Sequence, residues 1–178
     1  NTASAQVRVT LDTIAPAIII TSPADNSYTN TTPITVSYTV DGLPKTKSIG
    51  LTEGLNTITI SEVDEAGNTG SAEARVYLDT VLPAVVIKSP ANNSYTRTSP
   101  IDITYTVDGG PDRTEPANLT EGPNTVTITK ADLAGNSGSA SITVHLDTVS
   151  PAVVIKSPAN NSYTRTSPID VTYTVDGG

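Results

Sequence analysis

Three near-copies of one segment set the limits on what this chain can fold into. "LDTIAPAII" begins at Leu11, "LDTVLPAVV" at Leu78 and "LDTVSPAVV" at Leu146. Asp12, Asp79 and Asp147 stand 67 and 68 residues apart, as do Pro16, Pro83 and Pro151. Residues 79–110 and 147–178 differ only at Leu82/Ser150 and Ile103/Val171. The one length change follows Asp41 and Asp108, where the second copy carries one more residue; surface loops absorb insertions and packed strands do not. Self-similarity at a fixed period means that each copy is one structural unit. Complete copies are therefore expected at 14–80 and 81–148. Residues 1–13 read as the C-terminal strand of a preceding copy, with Asn1 aligning with Asn68 and Asn136, and 149–178 as the N-terminal part of a following one. The two ends together lack the equivalent of 111–135, so they do not complete each other, and the chain reads as a window of a longer array.

Within each copy the apolar pattern has a period of two. Ile34, Val36, Tyr38 and Val40 alternate with Thr35, Ser37 and Thr39, and Ile101, Ile103, Tyr105 and Val107 repeat the pattern. Ala72, Ala74, Val76 and Leu78 are expected to face inward, with Glu73, Arg75 and Tyr77 outward. A third alternating run covers Leu55 to Ile60, and the continuous run "PAIII" or "PAVVI" suits a strand covered on both faces. Short strands, regular turn clusters and no helical periodicity predict an all-β fold of tandem Ig-like, Greek-key β-sandwich domains of 67–68 residues each. About seven strands per copy are expected: A near 16–22, B near 34–40, C and D within 44–52, E unplaced, F near 55–63 and G near 70–78.

The tails "LTEGLNTITISEVDEAGNTGSA" and "LTEGPNTVTITKADLAGNSGSA", each leading to "LDTVLP" or "LDTVSP", resemble the bacterial Ig-like repeats of large surface proteins and adhesins. That resemblance implies an extracellular, cell-surface, non-enzymatic stalk, with calcium stiffening the joints in some members. Composition removes other classes. The net charge of -8, with 18 acidic and 10 basic residues and no basic stripe, argues against nucleic acid. Apolar runs fall far short of the roughly 18 residues that span a bilayer. With no Cys, no disulfide frames the fold.

Strand direction places the incoming linker, the turn after strand B and the turn between F and G at one pole. That pole gathers Asp12, Asp41, Asp64 and Asn68 in the first copy, and Asp79, Asp108, Asp132 and Asn136 in the second. Asp147 and Asp176 belong to the third. Convergent oxygens suit Ca²⁺, which takes about 6–8 of them. The same residues are also ordinary turn chemistry, because Asp and Asn hydrogen-bond their own backbone and Gly supplies positive φ. Both readings stand at this point. No EF-hand loop is present.

His145 takes an outward position matched by Tyr77 and Thr10, and a lone histidine makes no zinc site. Glu53 and Glu121 in "LTEG" read as turn residues rather than acid/base catalysts. Asn30, Asn92, Asn118 and Asn160 fit N-x-[ST], which in a glycosylating host marks exposed loops. Lys88 and Lys156 are the candidates for an isopeptide link, with no partner identified. The leading expectation is a stalk whose partners are neighbouring repeats of the same chain. The alternative is a self-assembling extracellular filament or surface layer. A weaker one is an accessory module of a secreted carbohydrate-active enzyme, which here lacks an aromatic platform for sugar stacking.

Overall fold

The computed structural model describes residues 2–176. The alignment of Asn1 with Asn68 and Asn136, and the final Gly177 and Gly178, lie outside the described residues. The fold is all-β, an Ig-like sandwich as the alternation predicts, and the described residues form no helix.

In the first copy the strands are β1 (Ile18–Ser22), β2 (Ser27–Thr29), β3 (Ile34–Val40), β4 (Leu43–Ile49), β5 (Gly54–Val63) and β6 (Thr69–Leu78). They form two three-stranded sheets, ordered β1-β3-β4 and β2-β6-β5. β3 and β4 join through Asp41 (φ 50°) and Gly42 (φ 83°), the two positive dihedrals of a two-residue type I′ hairpin turn. β5 and β6 pair antiparallel from Gly54↔Leu78 to Val63↔Thr69. β2 runs parallel to the end of β6, Ser27↔Val76 to Thr29↔Leu78. The first strand therefore changes sheets, with β1 on one and β2 on the other.

Between the sheets lie Val36, Tyr38, Leu51, Ile58, Ile60, Val76 and Leu78, with Ile18, Ile20, Ile34, Val40 and Ile49 packed against them. Fully burying an aliphatic side chain of this kind contributes about 1.5–3 kcal/mol, so this cluster is the main source of stability for a small sandwich. Tyr38 stays in the core by sending its hydroxyl to the rim, where it donates to Glu62 Oε1 at 2.7 Å.

Three expectations change. Each complete copy has six strands rather than seven: the short β2 is added, a single strand (β4 in the first copy) replaces C and D, and no E strand follows it. The "PAIII" strand is not covered on both faces: β1 is an edge strand and Ile19 is 60% exposed. In the Leu55–Ile60 run the inward residues are Asn56, Ile58 and Ile60, while Leu55 faces solvent. The inward set Ala72, Ala74, Val76 and Leu78 is as expected, all buried or half-buried.

The second copy repeats the element order: β7 (Val85–Ser89), β8 (Ser94–Thr96), β9 (Ile101–Val107), β10 (Arg113–Ala117), β11 (Gly122–Ala131) and β12 (Ser137–Leu146). Their sheets are ordered β10-β9-β7 and β11-β12-β8. Ile103, Tyr105, Leu119, Ile128, Ile142, Val144 and Leu146 are buried there. β13 (Val153–Ser157) and β14 (Thr172–Val175) pair in the register of β1 and β3, with the same irregularity near the end of the first strand.

Two compact units partition the backbone. One takes the residues up to Val86 with Tyr105–Asp112 and Thr127–Ala140; the other takes Ile87–Thr104, Arg113–Val126 and the residues from Ser141 on. Residues 79–84, which join the first copy to the second, thus lie within the first unit.

Gly70 and Gly138 open the second hairpin strand of their copies, and both are buried. A Cβ at Gly70 would run into the carbonyl of Pro16, and one at Gly138 into that of Pro83, so the start of each copy is seated directly on glycine backbone. Gly70→Ala should therefore cost about 1–3 kcal/mol as an overpacking change, read from the denaturant midpoint. Gly50→Ala, with open space around it and no positive φ, should stay within about 0.5 kcal/mol of the parent.

Candidate functional site

The residues singled out by charge and spacing converge on the segments that join the copies. Asp64 and Asn68 close the β5–β6 turn. Asp64 Oδ1 accepts the N–H groups of Ala66 (2.9 Å) and Asn68 (2.8 Å), and Asp64 Oδ2 accepts the Asn68 amide at 2.8 Å. That amide also donates to the Asp12 carbonyl at 3.2 Å, which ties the turn to the incoming linker. Asp41 Oδ1 accepts Ala17 N–H at 2.8 Å, and its own N–H donates to the Ala17 carbonyl at 3.0 Å. Asp12 Oδ1 accepts Ile14 N–H at 3.0 Å, an Asx turn inside the linker.

The second joint repeats this wiring more tightly. Asn136, only 8% exposed, donates its amide to the Asp79 carbonyl and to Asp132 Oδ2, both at 2.8 Å. Asp132 Oδ1 accepts Asn136 N–H at 2.9 Å. Asp108 Oδ1 accepts Ala84 N–H at 2.7 Å, and Asp79 Oδ1 accepts Val81 N–H at 3.0 Å. Asp79 N–H donates to the Thr29 carbonyl at 3.0 Å, which extends the β2–β6 pairing by one residue into the linker. At the third seam Asp147 Oδ1 accepts Val149 N–H at 3.1 Å, and Asp176 Oδ1 accepts Ala152 N–H at 2.8 Å.

Two residues read from sequence as simple turn formers reach the joint from the other side. Glu53 Oε1 accepts Thr80 N–H and its Oε2 accepts the Thr80 hydroxyl, each at 3.0 Å. Glu121 does the same for Thr148, at 3.1 and 2.8 Å. The motif "LTEGLN" is thereby accounted for residue by residue. Leu51 enters the core, Gly54 takes φ 91°, and Asn56 ties the turn through both amide atoms to Thr52 and Gly54. The regular spacing of Glu53 before Thr80 and Glu121 before Thr148 is a signal the sequence did carry.

Both oxygens of Asp64 and of Asp132 face donors of their own turn. Among the described residues, no group of three or more Asp, Glu or His side chains lies close enough to share a metal ion. Donors arranged this way build Asx turns. The described residues also contain no helix long and apolar enough to cross a membrane.

His145 is half-buried rather than exposed: its ring stacks on Tyr95 with centroids 4.6 Å apart, as Tyr77 stacks on Tyr28 at 4.9 Å. The outward face therefore carries paired aromatic rings that the sequence reading did not assemble. Of the glycosylation-type asparagines, Asn118 and Asn160 are exposed. Asn92 is exposed but uses its Oδ1 on Thr143 N–H, and Asn30 is half-buried with a Cβ position on Gly135 of the next copy 3.8 Å from its amide.

Neither family models nor curated proteins return a match to this sequence. Among solved structures the chain is similar to the fibronectin(III)-like modules of Clostridium thermocellum CbhA, with 14% identity and a TM-score of 0.45, over 73% of this chain and 94% of that one.

Hydrogen bonds from Asn68 hold the Asp64 carboxyl below its ordinary pKa, and those from Asn136 do the same for Asp132. A depressed folded pKa contributes stability that is complete above the unfolded value, about 3.9, and is lost as pH falls through the folded one. The melting temperature should hold above about pH 5 and fall below about pH 4, and Asp64→Asn should flatten part of that fall in a thermal titration. Asn136→Ala leaves the Asp79 carbonyl and Asp132 Oδ2 without the side-chain amide that they share, and should cost about 1–3 kcal/mol in chemical denaturation.

Proposed function

We propose that this chain is a non-enzymatic structural array, a semi-rigid stalk or spacer that works outside the cell as part of a large prokaryotic surface adhesin. The observation that carries the reading is the joint at residues 79–84. Glu53 of the first copy holds Thr80, while Asn136 and Asp108 of the second hold Asp79 and Ala84. A linker whose polar groups are met from both sides, with Pro83 fixing φ within it, has little freedom to swing. Repetition of the same wiring supports a role in which length and stiffness matter more than a unique site.

The experiment is small-angle scattering on the intact chain and on a Pro83→Gly/Asn136→Ala double variant. The parent should give the profile of a chain with a fixed joint, and the variant a broadened distance distribution. Identical profiles would remove joint rigidity from the account. Thermal unfolding with and without chelator tests the cation reading of Asp12, Asp41, Asp64, Asn68, Asp79, Asp108, Asp132, Asn136, Asp147 and Asp176. The expected result is an unchanged melting temperature, since each of these side chains already has a hydrogen-bond partner within the protein. A loss restored by added Ca²⁺ would assign calcium to the joints instead.

A further inference from the structure

Three of the four sheet edges in the first copy carry recognised protection against pairing with another chain. β1 is five residues long with an irregular register between Ile20 and Ser22, β2 has three residues, and β4 carries Pro44, Lys45 and Lys47. β5 is different. It is ten residues long, β6 is its one neighbour in the sheet, it contains no Pro or Lys, and its one charge, Glu62, is paired with Lys45.

The hydrogen-bond parity shows which groups face that open edge. Asp64 N–H donates to the Asn68 carbonyl at 3.0 Å, and the unbroken register from Val63↔Thr69 carries the alternation down the hairpin. Even-numbered residues of β5 therefore bond to β6, and Leu55, Thr57, Thr59, Ser61 and Val63 turn their N–H and C=O groups outward. β6 keeps the matching parity, since the Arg75 carbonyl accepts Asn26 N–H on the β2 side at 2.7 Å.

We infer that β5 is a self-pairing edge, and that its occupant is β5 of a second copy of this chain, antiparallel about a two-fold axis through Thr59. The choice of partner rests on the side-chain pattern. In that register Leu55 stands opposite Val63 of the second copy, Thr57 opposite Ser61, and Thr59 opposite its counterpart. All five outward-facing residues fall in hydrogen-bonded pairs, and Glu62 faces Asn56 rather than another charge. Leu55 and Val63 are 53% and 62% exposed, and pairing gives these two apolar side chains a common neighbour on the same face. The contact is isologous and closes on itself. β11 lacks the pattern, with Pro123 and Ala131 in place of Leu55 and Val63, so the edge belongs to the first copy. The inference is independent of the stalk reading, which concerns joints within one chain.

Sedimentation velocity across a concentration series tests it, in low and in high salt because a net charge of -8 on each chain opposes association. The expected result is a concentration-dependent dimer strengthened by salt. Leu55→Lys or Val63→Glu alone should weaken it by about tenfold or more, and the two together should restore it, because Lys and Glu then face each other across the two-fold. Both positions are exposed, so folding is retained. Since the chain has no Cys, Thr59→Cys should cross-link to a covalent dimer on oxidation much faster than Leu55→Cys. A chain that stays monomeric at every concentration and salt overturns the inference, as does a dimer unmoved by Leu55→Lys or cross-linking equally well at both positions.

Discussion

The carbonyl of Asp79 has left the β6 ladder but has not reached solvent: it accepts the buried amide of Asn136 at 2.8 Å. Much of the molecule's organisation depends on that contact being made. Asn136 is in place because Asp132 binds both its side-chain amide and its backbone N–H, and because Gly138 lets Pro83 sit directly over the strand that follows. From the other direction the linker is fixed by Glu53 on Thr80 and by continuation of the β2–β6 pairing through Asp79 N–H. Each bond alone is modest, of the order of 1 kcal/mol, but together they meet the polar groups of a segment that would otherwise be free chain. Spacing of the copies by a short peptide becomes spacing by a defined structure.

The copies reach similar local structure with different side chains where the surface allows it. Asp25 accepts Arg75 N–H in the first copy, and Asn92 accepts Thr143 N–H in the second. Tyr28 stacks on Tyr77, and Tyr95 on His145. The core tyrosine is met by the Glu62 carboxylate in one copy and by the Lys130 ammonium, 5.2 Å from the ring centroid, in the other. At the joints the chemistry does not vary: Asp–Gly after β3, Asp and Asn around the β5–β6 turn, and Glu opposite Thr. These positions at the joints keep one residue type in both copies, while those named away from them change theirs.

That difference explains what could be read from sequence. Alternation at Val36–Val40 and Ala72–Leu78, and the Gly and Asp of the turns, encode local geometry, so strands and turns were legible. β2 was not, because three residues, Ser27–Thr29, carry no periodicity and are a strand only by virtue of β6 beside them. The reduced strand count was hidden for a similar reason: residues 43–52 hold one strand's worth of extended chain, and only the pairing of β4 with β3 assigns it. For the site, convergence of the acidic residues on the joints followed from strand direction. What each carboxylate touches did not follow, since a turn bond and a cation site require the same residue types. Glu53 was legible as a turn residue but not as a joint residue, because its partner, Thr80, is far along the chain and polar contacts leave no hydropathy signal.

If residues Asp79–Ala84 are structure rather than tether, their backbone is as ordered as the strands on either side. Backbone ¹⁵N relaxation tests this directly, residue by residue, on the unmodified chain. A fixed joint requires order parameters across it equal to those of β5 and β6, about 0.85. Values below about 0.6 at Thr80–Leu82, with the flanking strands rigid, would contradict it.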